Sequence, residues 1–180
     1  MTITKLDAAE REIVAAVQLL FDGGDPIPVY ALAAAAREIT TTLCEKRGLR
    51  SMIDAIHEDH PHMTRKDIYR EAAKHAAFFK HAKTDPNAVL EDFAPTEADS
   101  VLFMACLDFG RLCGGKPIEA DAFELWFYAM RELLGPLGIS EIEELRGIAT
   151  VPRASQIAMG KKLLASARAD APANKHYSTE

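Results

Sequence analysis

Cysteine is scarce in this 180-residue chain, and it is nowhere arranged in a pair. Cys44, Cys106 and Cys113 are odd in number, no Cys-x-x-Cys occurs, and all three fall in segments that read as helix. A disulfide framework and a cysteine-built zinc site are therefore disfavoured, and reduced thiols in a cytosolic protein are the expectation. The N-terminal stretch lacks the unbroken apolar core of a signal peptide, because Asp7, Glu10 and Glu12 interrupt it. No run approaches the roughly 18 apolar residues of a membrane span. These absences predict a cytoplasmic protein without membrane contact. Positive charge is also short: the formal net charge is −6, which argues against a general nucleic-acid binder, since phosphate contacts need clustered Lys and Arg. Phosphate-loop, dinucleotide and nucleophile-elbow motifs are missing, and Gly114-Gly115-Lys116-Pro117 has neither the strand nor the spacing of a phosphate loop. No cofactor is expected.

Strand-like alternation is almost absent as well, and helix signals fill the chain. Leu6, Ala9, Ile13, Ala16, Val17, Leu20 and Phe21 recur at three- and four-residue steps, with Thr4 as cap and Gly23-Gly24 as stop. Asp25-Pro26 opens a second helix carrying Val29, Leu32, Ala33, Ala36, Ile39 and Leu43 on one face. The two read as an antiparallel hairpin. Ser51 starts a short helix to about Glu58. Thr64 with Asp67 caps a helix expected to run to about Lys83. Thr96 with Asp99 opens the next, Pro117 precedes an apolar helix with Phe123, Trp126, Phe127, Met130, Leu133 and Leu134, and Ser140 with Glu143 caps a short one. A last helix spans roughly Arg153 to Arg168. The fold class predicted is all-α, a compact bundle of about six to eight helices. Residues 1–170 form one domain and 171–180 a flexible tail.

The helix expected over 65–83 carries the most information. On a helical wheel Ile68, Ala72, His75, Ala76, Phe79 and Ala82 share an apolar face, while Lys66, Arg70, Lys74 and His81 share a basic one. The basic stripe reads as an anion or phosphate site with Arg70 as clamp, or as a solvated face tempered by Asp67 and Glu71. His75 reads as a general acid/base, or as a core histidine with Glu71 one turn earlier as its partner. His57, His60 and His62, with Asp54, Glu58 and Asp59 nearby, raise a metal reading, but Pro61 breaks the helix inside the cluster and a hydrated loop is the competing view. The stripe of Phe123, Trp126, Phe127 and Met130 is expected to be core.

Arg70-Glu-Ala-Ala-Lys-His75 has the form Arg-x4-His, and the first hairpin resembles the opening helix pair of HEPN domains (higher eukaryotes and prokaryotes nucleotide-binding). The resemblance covers roughly residues 5–82. It implies a small helical bundle of the toxin or phage-defence type and a metal-independent endoribonuclease. Arg70 and His75 would meet their symmetry mates across a dimer, His75 moving the proton of an attacking 2′-OH and Arg70 stabilising phosphorane charge. Glu71 departs from the polar residue usual after that Arg. The stretch Phe78-Phe79-Lys80-His81-Ala82 followed by Asp85-Pro86 also resembles a box in uncharacterised bacterial proteins, from which no activity follows. Two functions are carried forward. One is a homodimeric interaction module binding a protein partner or a small ligand. The other is a HEPN-like ribonuclease, with RNA as a partner that the net charge disfavours.

Overall fold

The computed structural model describes residues 2–80, 83 and 86–171. Within them the chain forms eight α-helices and no strand: α1 (Lys5–Phe21), α2 (Pro26–Lys46), α3 (Met52–Asp59), α4 (Arg65–Ala72), α5 (Ala76–Lys80), α6 (Pro95–Cys113), α7 (Ile118–Met130) and α8 (Arg153–Asp170). Short 3-10 turns at Glu143–Leu145 and Ile148–Thr150 link α7 to α8. The all-α bundle is the class expected. Local sequence starts several of these helices. Thr4 with Asp7, Ser51 with Asp54 and Thr64 with Asp67 each form a reciprocal cap that satisfies backbone N–H groups left free by the first turn. Asp25 accepts from the Ile27 N–H ahead of α2.

Four expectations are corrected. The short helix read from Ser140 with Glu143 is only a 3-10 turn at Glu143–Leu145, with Ile142 at its N-cap and no side-chain cap. The helix over 65–83 is broken: Ala73–His75 form a turn between α4 and α5, so Lys66 and Arg70 do not share a helix with Lys74 or His75. No glycine or proline causes the break; it lets His75 and Phe79 turn in toward Tyr30 and Phe93. The sixth helix starts at Pro95, with Ala94 rather than Thr96 at its N-cap and Glu97 returning to the Ala94 N–H. The helix read through Leu133 and Leu134 ends at Met130, and Leu133 stands half exposed. His81, Ala82, Asp85 and the tail beyond Ala171 lie outside the described residues.

The main core gathers Ile13, Val17 and Phe21 from α1, Tyr30 from α2, Leu102 from α6, and Phe123 and Trp126 from α7. Trp126 is fully buried and its indole N–H donates to the Gln156 carbonyl at 2.7 Å. A smaller second core of Ile53, Ile68 and Met104 fastens α3 and α4 to α6. No helix among the described residues is long and apolar enough to cross a membrane.

The arrangement of α2 and α6 positions everything that follows. Thr41 bonds Asp108 and Arg47 reaches the Leu112 carbonyl at one end, while Val29 and Tyr30 lie beside Pro95, Ala98 and Glu97 at the other. The two helices therefore run parallel, with α1 antiparallel to α2 on one side and α3–α5 covering another.

Candidate functional site

Tyr30, Arg37, Thr41 and Cys44 fall three, four or seven residues apart on α2, so one face of the helix carries all of them toward α6. Its lower part is a closed polar knot. The Thr41 hydroxyl donates to Asp108 Oδ2 at 2.9 Å, the Met52 N–H to Oδ1 at 2.8 Å, and Arg111 Nη1 to Oδ1 at 2.7 Å. Burial pushes the Asp108 carboxyl up, and these three donors pull it back. The Cys44 thiol points to the Asp108 carbonyl, 3.6 Å away, and burial pushes it up to about 11. Burial likewise raises Cys106, so neither thiol is an activated nucleophile.

At the upper end Tyr30 and His75 form an aromatic cluster. The His75 ring lies 5.9 Å from that of Tyr30 and 5.5 Å from that of Phe93, both edge-on, and Phe79 closes against Tyr30 and Phe93 at 5.6 and 5.5 Å. His75 is only 2% exposed. Its Nε2 comes within 2.6 Å of Glu97 Oε2, but off the direction of a ring N–H, so Nε2 has no aligned hydrogen-bond partner among the described residues. The carboxylate beside it is thus Glu97 from α6, not Glu71, which is exposed. The Tyr30 hydroxyl donates to the Ala72 carbonyl over a long 3.5 Å, and burial raises its pKa, keeping it a donor.

Between these ends a groove of about 340 Å³ opens among α2, α3, α4 and α6. Ile56, Met63, Ile68, Val101 and Met104 make it apolar, and Glu71, Lys74, Glu97 and Ser100 give it a polar rim. It is an open concavity with few convergent polar groups.

One buried group on α2 was invisible in the sequence. Arg37 is 4% exposed, and among the described residues its Nε and Nη1 reach no acceptor. Burial pushes its guanidinium pKa down, while Tyr30, Tyr69, Glu38 and Asp108 favour its charge. The signal that would have found it is its place on the same helical line as Tyr30 and Cys44. That line becomes internal only once α6 and α4 cover it.

Lys66, Arg70 and Lys74 are all exposed, Arg70 with 72% of its side chain in solvent and Nη2 on Asp67 at 2.7 Å. Lys74 alone of them lines the groove. Arg70 and His75 occupy different environments within one chain, the first in solvent and the second inside the aromatic cluster. His57 hydrogen-bonds the Met63 carbonyl through Nδ1 at 2.8 Å, and His60 the Ile56 carbonyl at 3.2 Å. The rings of His60 and His62 meet edge-on at 5.9 Å. Among the described residues no group of three or more His, Cys, Asp or Glu side chains is placed to hold a metal. No family model, curated protein or solved structure matches the chain.

Proposed function

We propose that this chain is a cytoplasmic, self-associating helical binding module whose groove among α2, α3, α4 and α6 takes a small ligand with an apolar body. The groove carries the proposal: five aliphatic or thioether side chains converge on one concavity, with polar groups confined to its rim. The setting of His75 supports binding over catalysis. A general base must come within hydrogen-bond reach of the proton it takes, and this imidazole is enclosed by Tyr30, Phe93 and Glu97, away from the solvated Arg70. A HEPN-like nuclease would need a second copy to bring an Arg70 to a His75.

The uncharged fluorophore N-phenyl-1-naphthylamine tests the groove. Its emission is expected to rise with wild type and not with Ser100→Trp, which fills the groove from its exposed rim. Equal enhancement in both proteins would place the dye elsewhere and defeat the reading. Light scattering and an RNA-cleavage assay on wild type, Arg70→Ala and His75→Ala settle the rival. The binding module predicts a dimer and no cleavage. Cleavage by wild type that is lost in both variants would replace the module with the nuclease.

A further inference from the structure

The groove changes character along its length. At one end Ile68 packs with Met104, and Ile56 and Met63 lean on the same cluster. At the other, the Tyr30 hydroxyl meets the Ala72 carbonyl where α4 finishes, and the Tyr30 ring adjoins that of His75, whose Nε2 lies beside Glu97 near the start of α6. Glu97, Ser100, Val101 and Met104 share one face of α6 and all line the groove. That wall therefore turns from polar to apolar over about 10 Å, two turns at the usual helical rise. The facing wall changes in the same sense, with Glu71 and Lys74 at the end of α4 and Ile68 one turn back. A molecule with one polar and one apolar end has a single favourable orientation between such walls.

Among the described residues, the charged side chains lining the polar end are Glu71, Lys74 and Glu97. They are not equivalent. Glu71 and Lys74 are exposed, so their charges are solvated, carried on mobile stems and screened by salt. Glu97 shows only 33% of its side chain to solvent and is held in place, its Oε1 accepting from the Ala94 N–H at 3.4 Å. His75 does not occupy the other oxygen, because its Nε2 lies off the direction of a ring N–H. The best-fixed and least solvated charge on the groove wall is thus negative, with acceptor capacity to spare. A charge so placed acts more strongly on a bound ion than one free in water.

Resting on the groove reading above, we infer that the ligand is an amphipathic cation of the alkylammonium class, its chain lying toward Ile56, Ile68 and Met104 and its head group meeting Glu97 and the Ser100 hydroxyl. An ammonium group offers donors and no acceptor, which matches carboxylate and hydroxyl oxygens. An anionic head in the same orientation would face the Glu97 carboxylate. Glu97 sets the sign of charge that the groove selects, and the aliphatic walls set its affinity for the chain. Glu71 reinforces that choice from solvent, and Lys74 opposes it.

Calorimetric titration of the full chain at about pH 8, where an alkylamine is protonated and a carboxylic acid ionised, compares octylamine, 1-octanol and octanoate. Wild type is expected to bind octylamine roughly tenfold tighter than octanol, and octanoate weakest. Glu97→Gln, which keeps an oxygen for the Ala94 N–H, should bind octanol as wild type does and lose most of the preference for the amine. Lys74→Gln changes an exposed side chain and leaves the cap of α6 intact, so it reads the same charge balance if Glu97→Gln does not fold; it should sharpen the preference. Ser100→Trp should bind none of the probes. Equal affinity of wild type for octylamine and octanol, tightest binding of octanoate, or an undiminished preference in Glu97→Gln would overturn the cation and leave the groove standing. So would a weaker preference in Lys74→Gln. Octylamine bound equally by wild type and Ser100→Trp would lie outside the groove, and the cation would again be overturned. If no probe binds, the groove reading falls and the cation falls with it.

Discussion

Glu132 is the non-glycine residue with a positive φ, 56°, among the described residues. It follows the end of α7, where its own N–H bonds the Ala129 carbonyl and the Leu133 N–H reaches back to Tyr128 at 2.9 Å. That pattern is a helix stop whose left-handed position is normally glycine, since a side chain there meets the backbone carbonyl. Glu132→Gly is therefore expected to stabilise the fold by about 0.5–1 kcal/mol, part of the relieved strain being offset by glycine's greater freedom when unfolded. Urea unfolding of the two proteins reads the difference, and a lower midpoint for the variant would refute it. Single residues also mark where sequence reading stops. The caps at Thr4, Ser51 and Thr64 were legible because each acts on neighbours three residues away. Arg37 was not, because the alanines around it made α2 look like a helix with one packing face. Its burial depends on α4 and α6, which arrive from distant parts of the chain.

At the scale of elements, α4 is the weakest wall of the groove. A helix of eight residues is marginal by itself, and this one rests on its cap and on the small cluster of Ile53, Ile68 and Met104. The Thr64 hydroxyl and N–H both engage Asp67, and the Asp67 N–H returns to Thr64. Thr64→Ala should cost about 1 kcal/mol and quicken amide hydrogen exchange within α4 while leaving α1 and α2 unchanged. Uniform acceleration across all helices would mean that α4 has no independent opening. The break after Ala72 shows why the candidate site was only half visible. Residues 65–80 contain no glycine or proline and are rich in Ala, Lys, Arg and Glu, so local propensity permits one long helix that lines up Lys66, Arg70 and Lys74. Burial of His75 and Phe79 against Tyr30 and Phe93 outweighs the few backbone bonds lost at the turn. His75 did prove to be the enclosed histidine that its apolar neighbours suggested. Its companion, Glu97, lies too far along the chain for helical spacing to reveal.

Across the whole molecule, the closing contact is α8 against α1. Gly160 faces Phe21 so closely that a β-carbon there would collide with the ring. The flanks are tied by Arg153 to the buried Asp99 at 2.7 Å, Arg168 to Glu119 at 2.6 Å and Lys161 to Asp22 at 2.8 Å. Gly160→Ala must push α8 or Phe21 aside, and a loss of about 1–3 kcal/mol is expected by chemical denaturation. A loss smaller than 0.5 kcal/mol, on the scale of ~1 kcal/mol for one misplaced methyl group, would mean that α8 docks loosely. All-α architecture was predictable from periodicity, but this docking was not, since nothing local distinguishes Gly160 from a helix-weakening glycine.

The parallel course of α2 and α6 has a consequence for what this chain can lose. Antiparallel neighbours can be joined by a tight turn, as α1 and α2 are, whereas a parallel pair obliges the chain to travel back the length of a helix, roughly 30 Å for one of twenty residues. Here α3, α4 and α5 lie on that return journey, and α3 and α4 are also the outer bank of the groove. The connection and one wall of the groove are the same stretch of polypeptide. Excising it would force α6 to reverse direction and would undo the pairing of Thr41 with Asp108 along with the groove, so any loss of this segment in a shortened chain takes the scaffold with it.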